Sequence, residues 1–456
     1  MTSAPPEMPV VDGSEVASIA CALEAAGSFA LDLEFMTDGR YVAELSLVQV
    51  SWGDPEAPGV AAIDPLRVDP RPVLEVVGSP AVETILHSAQ ADLALLGQQF
   101  GIRARQVYDT QIGAAFLGMG DQVGYGALVG RVCGVRIDKG AQFTEWSRRP
   151  LSDEQLSYAL DDVRYLPRMW RALRADLEAA GRLGWVAEES DRLAEAWAER
   201  LPPDQMYRRV RGWNGLRRRS QGALRALAAW REREALRANR PPSWILNDRT
   251  MLELCRRPPE DEPTMREVRG LGDGTLQRYG NAILAAVREG LDDPPPAEPK
   301  RPPVPPQGRA WPAILSGIVQ AGCRGANIAA RFVATRSDID ALVAWWLTGD
   351  RAEEPDLPLL GGWRRELAGE AMLDWLRGET TIAVDAESEA GVCIVRADRR
   401  APAATPIAVT PPHAPSRSDG AAAPSRDDGV AASTIAVPTA PALVPTLVAV
   451  EQSVAG

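Results

Sequence analysis

The sequence predicts an α/β domain built on a mixed sheet with flanking helices, followed by two all-α helical domains and a disordered tail. Three observations carry this. Between residues 28 and 65, three short apolar or alternating runs are divided by turn residues. From about residue 205 the apolar residues recur at helical spacing. Two stretches lack such patterning: the proline-rich run 291–310 and the Ala/Pro/Thr/Val-rich end of the chain. The expected boundaries are 1–200, 205–290, a stiff linker over 291–310, 311–385, and a low-complexity tail over 390–456.

The three runs are strands at Ser28–Phe35, Glu44–Trp52 and Val60–Asp64, bounded by Asp38-Gly39 and Gly53-Asp54-Pro55. Three strands in succession predict an antiparallel start to the sheet. A fourth run, Thr84–His87, leads into a helix over Ala91–Phe100 that Gly101 stops. Val107-Tyr108 reads as a fifth strand, followed by a helix over Thr110–Leu117. Ser152 caps the next helix, with Glu154 and Gln155 in its first turn, and Pro167 either kinks it or starts another. Beyond 205 the expected helices are Leu216–Ala238, Arg249–Cys255, Met265–Val268 and Gly274–Arg288, then Ile328–Val333, Ser337–Thr348 and Arg364–Arg377.

Composition excludes several classes. Five cysteines form no C-x-x-C pair and only two histidines exist, which argues against a zinc site or a disulfide framework and favours a reducing cytosol. Met1–Glu15 has neither the basic nor the apolar region of a signal peptide. Prolines 438, 441 and 445 break the uncharged stretch Gly429–Val450, which reads as tail and not as a membrane span. The net charge of −12 is uneven: −13 over 1–200, +7 over 201–290 and −6 over 291–456. An acidic protein with one basic segment predicts a local polyanion contact.

Asp32 and Glu34 fall on one face of the first strand, opposite Leu31, Leu33 and Phe35. Paired carboxylates in an apolar strand are costly unless a cation sits between them. With no His or Cys nearby, hard oxygen ligands point to magnesium or manganese. A solvated edge strand is the alternative. Asp92 alone is an ordinary first-turn acid favoured by the helix dipole. Tyr158 and Asp162 stand at i and i+4 and share a helix face. Together the four carboxylates and the phenol can hold two divalent ions about 4 Å apart and cleave a phosphodiester by in-line attack. Tyr158 would orient the attacking water or help deprotonate it. The only histidine ahead of the tail is His87 and no P-loop is present, so no other catalytic constellation competes.

LDLEF at 31–35, HSAQADLALL at 87–96, YDTQIGAAFLG at 108–118 and YALDDVRYL at 158–166 resemble the motifs of the tyrosine-containing DEDD 3′–5′ exonucleases. The run 135–159 narrows the resemblance to the ribonuclease D family. Residues 230–259 and 268–280 resemble an HRDC domain, and 361–379 a divergent second helical domain of that family. The resemblance spans about residues 15–385 and implies a ribonuclease H-like sheet in a cytoplasmic exoribonuclease that trims RNA 3′ ends, tRNA precursors among them. It also implies two divalent cations, Mg2+ or Mn2+, held by Asp32, Glu34, Asp92 and Asp162, with Tyr158 as the fifth catalytic residue. A DNA-directed exonuclease and a non-catalytic nucleic-acid-binding protein are the alternatives. No membrane and no obligate protein partner is expected.

Eleven arginines crowd residues 208–240 against two glutamates. Of these, Arg211, Arg217, Arg218 and Arg219 are the expected RNA-phosphate contacts, against the reading of a solvated helix with acid partners of its own. Deleting 205–380 is then expected to weaken RNA binding more than hydrolysis of a short oligonucleotide. The tryptophans at 230, 244, 345, 346, 363 and 375 lie in apolar helical patterns and are expected in the core.

Overall fold

The computed structural model describes residues 12–137, 144–198, 200–296, 308–348, 351, 353–388 and 391–397. The N-terminal part runs α1 (Gly13–Ala26), β1 (Ser28–Met36), β2 (Glu44–Trp52), β3 (Gly59–Ile63), α2 (Arg71–Glu75), β4 (Glu83–Leu86), α3 (Gln90–Leu95), β5 (Val107–Asp109), α4 (Thr110–Phe116), α5 (Tyr125–Cys133), α6 (Asp153–Arg164), α7 (Leu166–Ala179) and α8 (Leu183–Ala198). The helical part continues with α9 (Arg218–Ala238), α10 (Pro242–Ile245), α11 (Asp248–Arg256), α12 (Glu262–Arg266), α13 (Asp273–Asp292), α14 (Trp311–Ala326), α15 (Arg336–Thr348), α16 (Gly362–Arg364) and α17 (Glu370–Leu376), then β6 (Thr380–Val384) and β7 (Val392–Arg396).

The sheet order is β3-β2-β1-β4-β5, with β1/β2 and β2/β3 antiparallel and β1/β4 and β4/β5 parallel. The predicted mixed sheet and its antiparallel start are therefore present. The central strand follows the period of two. Phe29, Leu31 and Leu33 enter a core shared with Val16 and Leu23 of α1. The opposite face carries Ala30, Asp32 and Glu34, and α6 and α7 cover it. A bulge between Glu34 and Phe35 shifts the β1/β2 register, so that Phe35 and Met36 pair with Leu45 and Glu44; bulges are common beside functional sites.

Residues 203–292 form their own core around Leu224, Leu227, Met251, Leu254, Ile283 and Val287. Here α9 crosses α13 at two facing glycines: a Cβ on Gly222 would lie 2.1 Å from the Gly290 carbonyl, and one on Gly290 would lie 2.3 Å from the Gly222 carbonyl. This helical module docks on the loop that leaves β1. The Asn239 Oδ1 accepts the Tyr41 and Val42 N–H groups at 3.1 and 2.9 Å, and the Tyr41 hydroxyl meets the Glu232 carboxylate.

Three features differ from the sequence expectation. The stretch Ile328–Val333 holds a single 3-10 turn, Ala330–Phe332, in place of a helix. Strand β7 lies within the span expected as tail, because β-branched residues on both sides of a turn pair as an antiparallel hairpin. The rest of that tail, 398–456, lies outside the described residues. Lastly, the segment expected as a separate domain over 311–385 shares one core with the sheet. The ring of Phe116 lies 5.1 Å from those of Phe332 and Trp363, and Trp185 stacks on Trp363 at 5.0 Å. The buried Arg364 guanidinium pairs with Glu188 and Glu189 of α8 and donates to the Phe332 carbonyl at 2.8 Å.

Candidate active site

Three of the sequence-predicted residues meet where α6 crosses β1. Carboxylate oxygens of Asp32, Glu34 and Asp162 lie within 4.8 Å of one another. A capping box starts α6, with Gln155 N donating to Ser152 Oγ and Ser152 N to Gln155 Oε1. One turn on, Tyr158 and Asp162 share a face and their side chains hydrogen-bond. Asp161 points away and pairs with Arg164 at 3.1 Å. Two long-range bonds fix the rotation of the helix: Ser51 Oγ donates to the Val163 carbonyl and the Tyr125 hydroxyl to the Asp161 carbonyl, both at 2.7 Å.

The loop before α6 is also tied down. Arg149 donates to both oxygens of the buried Asp64 at 2.7 and 2.8 Å, to the Ser46 carbonyl at 2.6 Å and to the Trp146 carbonyl at 2.7 Å. This holds Trp146 with its ring 6.2 Å from that of Tyr158.

Asp92 stands outside the 4.8 Å group, on α3, buried and within electrostatic reach of Asp32 and Glu34. Its place depends on Asp109, whose carboxylate accepts the N–H groups of Ser88 (3.0 Å), Ala89 (2.9 Å) and Gln111 (2.8 Å). Ser88 takes φ +60°, a strained value for a non-glycine residue, and the two bonds at 88 and 89 hold it there. His87 is structural. Thr110 donates its hydroxyl proton to the Leu86 carbonyl, so its oxygen accepts from His87 Nδ1 at 2.9 Å. Burial lowers the imidazole pKa and keeps the ring neutral.

The site is built against itself electrostatically. Burial raises Asp32 to about 6. Burial, then the charges of Asp32 and Asp162, raise Glu34 to about 9. Burial and Asp32 raise Asp162 to about 8, against the opposing hydrogen bond from Tyr158. Asp92 is raised well above the usual carboxylate range by burial and by Asp32, Glu34 and Asp109. The Tyr158 hydroxyl is raised as well, by burial first. Among the described residues no arginine or lysine offsets these charges. Gln49, the cross-strand neighbour of Asp32, is fully buried with both amide atoms unpaired among the described residues. Orphaned polar groups beside clustered acids mark a site shaped around something charged.

The folded, metal-free protein therefore holds more protons than the unfolded chain above about pH 4. Its carboxyl-linked stability is complete below that value and is lost as the pH rises through about 6 to about 9. A divalent cation replaces those protons. The expected result is a rise in melting temperature on adding Mg2+ that grows with pH across this range, with proton release in unbuffered calorimetry. A pH-independent rise would exclude these groups as the ligands.

The expected arginine contacts lie elsewhere, on the helical module, and all four are exposed. Arg217 and Arg219 line a groove of about 1050 Å3 with Arg256 and Arg288, whereas Arg211 and Arg218 do not. Arg218 donates to the Pro295 carbonyl, and Arg219 to the Leu291 carbonyl with Asp292 at 3.7 Å. The residues not foreseen from sequence are Gln49, Asp109, Tyr125 and the Arg149–Asp64 pair. Asp109 had a readable signal, an aspartate at the start of a helix.

A family model described as 3′–5′ exonuclease matches residues 9–178, and an HRDC-domain model matches residues 220–287. The chain is 36% identical over 383 residues to a ribonuclease D of Granulibacter bethesdensis, covering 82% of this chain and 94% of that protein. It is 36% identical over 385 residues to one of Acidiphilium cryptum, covering 83% and 95%. The crystal structure of Escherichia coli RNase D, an exoribonuclease involved in structured RNA processing, superposes with a TM-score of 0.71 at 28% identity, covering 81% of this chain and 98% of that one.

Proposed function

The chain belongs to the ribonuclease D family and is a divalent-metal-dependent 3′–5′ exoribonuclease, and on that premise we propose that Asp32, Glu34, Asp92 and Asp162 hold two cations, Mg2+ or Mn2+, beside Tyr158. The observation that carries this reading is the convergence of three carboxylates within 4.8 Å under the tyrosine hydroxyl. An all-oxygen donor set without His or Cys suits these hard ions. When bound, the cations neutralise the scissile phosphate and make water a better nucleophile.

The chain's own residues do the rest. The Tyr158 hydroxyl, held by Asp162 and backed by Trp146, is positioned to orient the attacking water. Asp109 and the Ser51–Val163 bond fix α3 and α6, and with them Asp92 and Asp162. The groove holding Arg217, Arg219, Arg256 and Arg288 supplies phosphate contacts that ignore sequence. The substrate class this fits is structured RNA with a 3′ extension, tRNA precursors included, in the cytosol. No helix among the described residues is long and apolar enough to cross a membrane.

The test is a 3′-extended tRNA incubated with and without Mg2+, with a DNA strand of the same sequence as control. Stepwise shortening of the RNA that needs the metal is expected, and indifference to chelation would overturn the assignment. Tyr158→Phe is expected to lower kcat about 10- to 100-fold, the scale of a lost proton-handling group. It should leave the metal-induced rise in melting temperature unchanged, which separates a role toward water from one toward the ions.

A further inference from the structure

We infer that Trp244 is a stacking platform for a base of the RNA strand that leads into the catalytic site; this rests on the exoribonuclease reading above and adds a binding element to it. Its side chain is 63% exposed, whereas Trp146, Trp170, Trp346 and Trp363 are buried. The apolar pattern around it, Trp-Ile-Leu, predicted a core position. Instead Ile245 and Leu246 turn inward and the indole stays outside. An indole left in water forfeits the burial that its size would otherwise give.

Its location ties it to the chemistry. The ring lies against Gly39, where a Cβ would come within 3.3 Å of the indole, and Gly39 itself takes φ +68°. Gly39 is in the loop that leaves β1 three residues past its last residue, Met36. Asp32 and Glu34 lie on that strand, and Asp92 follows the end of β4, which runs parallel to it. The loop after β1 and the segment carrying Asp92 after β4 thus leave the sheet at the same end of two parallel strands, and Trp244 of the helical module rests on that loop.

The platform is also held still. Asn239 takes the Tyr41 and Val42 N–H groups, and the Arg200 guanidinium lies 4.5 Å over the Tyr41 ring. Pro241 and Pro242 stiffen the backbone leading to the indole. A surface aromatic fixed in advance costs little entropy on binding.

The surroundings suit nucleic acid better than a protein partner. Ser243 and Asn247 beside it are exposed and polar. In the sequence Arg240 and Arg249 bracket it; both are exposed and make no ion pair among the described residues, while of the two exposed acids nearby, Asp38 and Asp248, the second is paired with Arg231. An exposed aromatic face on a segment that also carries Arg240 and Arg249 offers a base its ring and the adjoining phosphates their counter-charge. A protein interface of useful size would need an apolar patch around the indole, and these polar neighbours deny it.

The experiment compares wild type, Trp244→Ala and Trp244→Phe as full-length chains with Mg2+, on oligo(A) and oligo(U) of about twelve nucleotides and on a dinucleotide. Trp244→Ala is expected to raise KM on oligo(A) about 5- to 100-fold, the range that loss of one stacked base corresponds to, and less on oligo(U). The kcat should hold and the dinucleotide should be hydrolysed as by wild type. Trp244→Phe should recover most of the loss. 2-Aminopurine moved along the strand should be quenched at one internal position by wild type and not by Trp244→Ala. If wild type shortens the RNA and Trp244→Ala matches it in KM, the platform is overturned while the exoribonuclease reading stands. Equal losses on oligonucleotide and dinucleotide overturn it as well, as a structural effect. If wild type shortens no RNA, the reading beneath it falls first and takes the platform with it.

Discussion

Asp32→Asn is expected to cut hydrolysis of an RNA 3′ end by at least about a thousandfold, about 4 kcal/mol of transition-state stabilisation, while the metal-free protein melts no lower than wild type. The first half follows from position. Asp32 sits in the 4.8 Å group and its charge reaches Glu34, Asp92 and Asp162. Both bound ions would depend on it. The second half follows from sign. In the absence of metal the Asp32 charge is opposed by burial and repels Glu34, Asp92 and Asp162, with one backbone hydrogen bond from Leu33 in its favour, so removing the charge relieves more than it costs. A chelated melting curve and a kcat/KM measurement on one preparation check both halves. Persistent full activity would refute the metal assignment, and a large fall in melting temperature would turn Asp32 into a structural residue.

The second large effect concerns the C-terminal helical segment. Trp363→Ala is expected to destabilise the whole catalytic unit by about 3–5 kcal/mol, the range for emptying an aromatic site in a packed core. That is a large share of the roughly 5–15 kcal/mol that holds a typical domain folded. The indole stacks on Trp185 at 5.0 Å and meets Phe116, which stands at the end of α4 under the sheet. Its neighbour Arg364 is locked by Glu188 and Glu189, so the two residues seal α8 against α16 through both packing and charge. Denaturation followed by tryptophan fluorescence and by far-UV circular dichroism should show one shared, lowered midpoint. Two separate transitions, with the sheet unfolding as in wild type, would mean that the segment folds on its own. The shared core revises the deletion experiment too. Loss of 205–380 strips the cover from α4, α7 and α8, so its effect on RNA binding cannot be read apart from folding.

Where a residue's role depends on local periodicity, the sequence disclosed it. Asp32 and Glu34 share a face because strands alternate, and Tyr158 and Asp162 because helices repeat near every fourth residue. From local pattern alone Asp92 reads as a helix-start acid, and only the family resemblance of its motif groups it with the other carboxylates. Its link to the other carboxylates runs through Asp109 and a strained Ser88, neither visible in a pattern. Gln49 looked like one more residue of an alternating strand, since no local rule says which cross-strand neighbour it faces. The shared core was hidden for the same reason: an apolar helix face says that something covers it, not which segment does, and Phe116 and Trp363 are far apart in the chain. Helix α1 has a faint sequence signal: Val16, Ile19, Ala20 and Leu23 keep a helical spacing, but alanine and serine dilute the apolar stripe.

The glycine seam between α9 and α13 has an evolutionary corollary. Main chain rests on main chain at Gly222 and Gly290, so neither position tolerates drift alone, and a change at one demands an answering shift at the other. Two arginines of α9 brace the same crossing: Arg219 donates to the Leu291 carbonyl at 3.2 Å and Arg225 to the Asp293 carbonyl at 3.0 Å, at the end of α13. Descendants of this chain are free to redraw the module's electric field at exposed arginines that make no bond to α13 among the described residues, such as Arg211 and Arg233, and so the range of polyanions it attracts, without disturbing the angle at which its two longest helices meet.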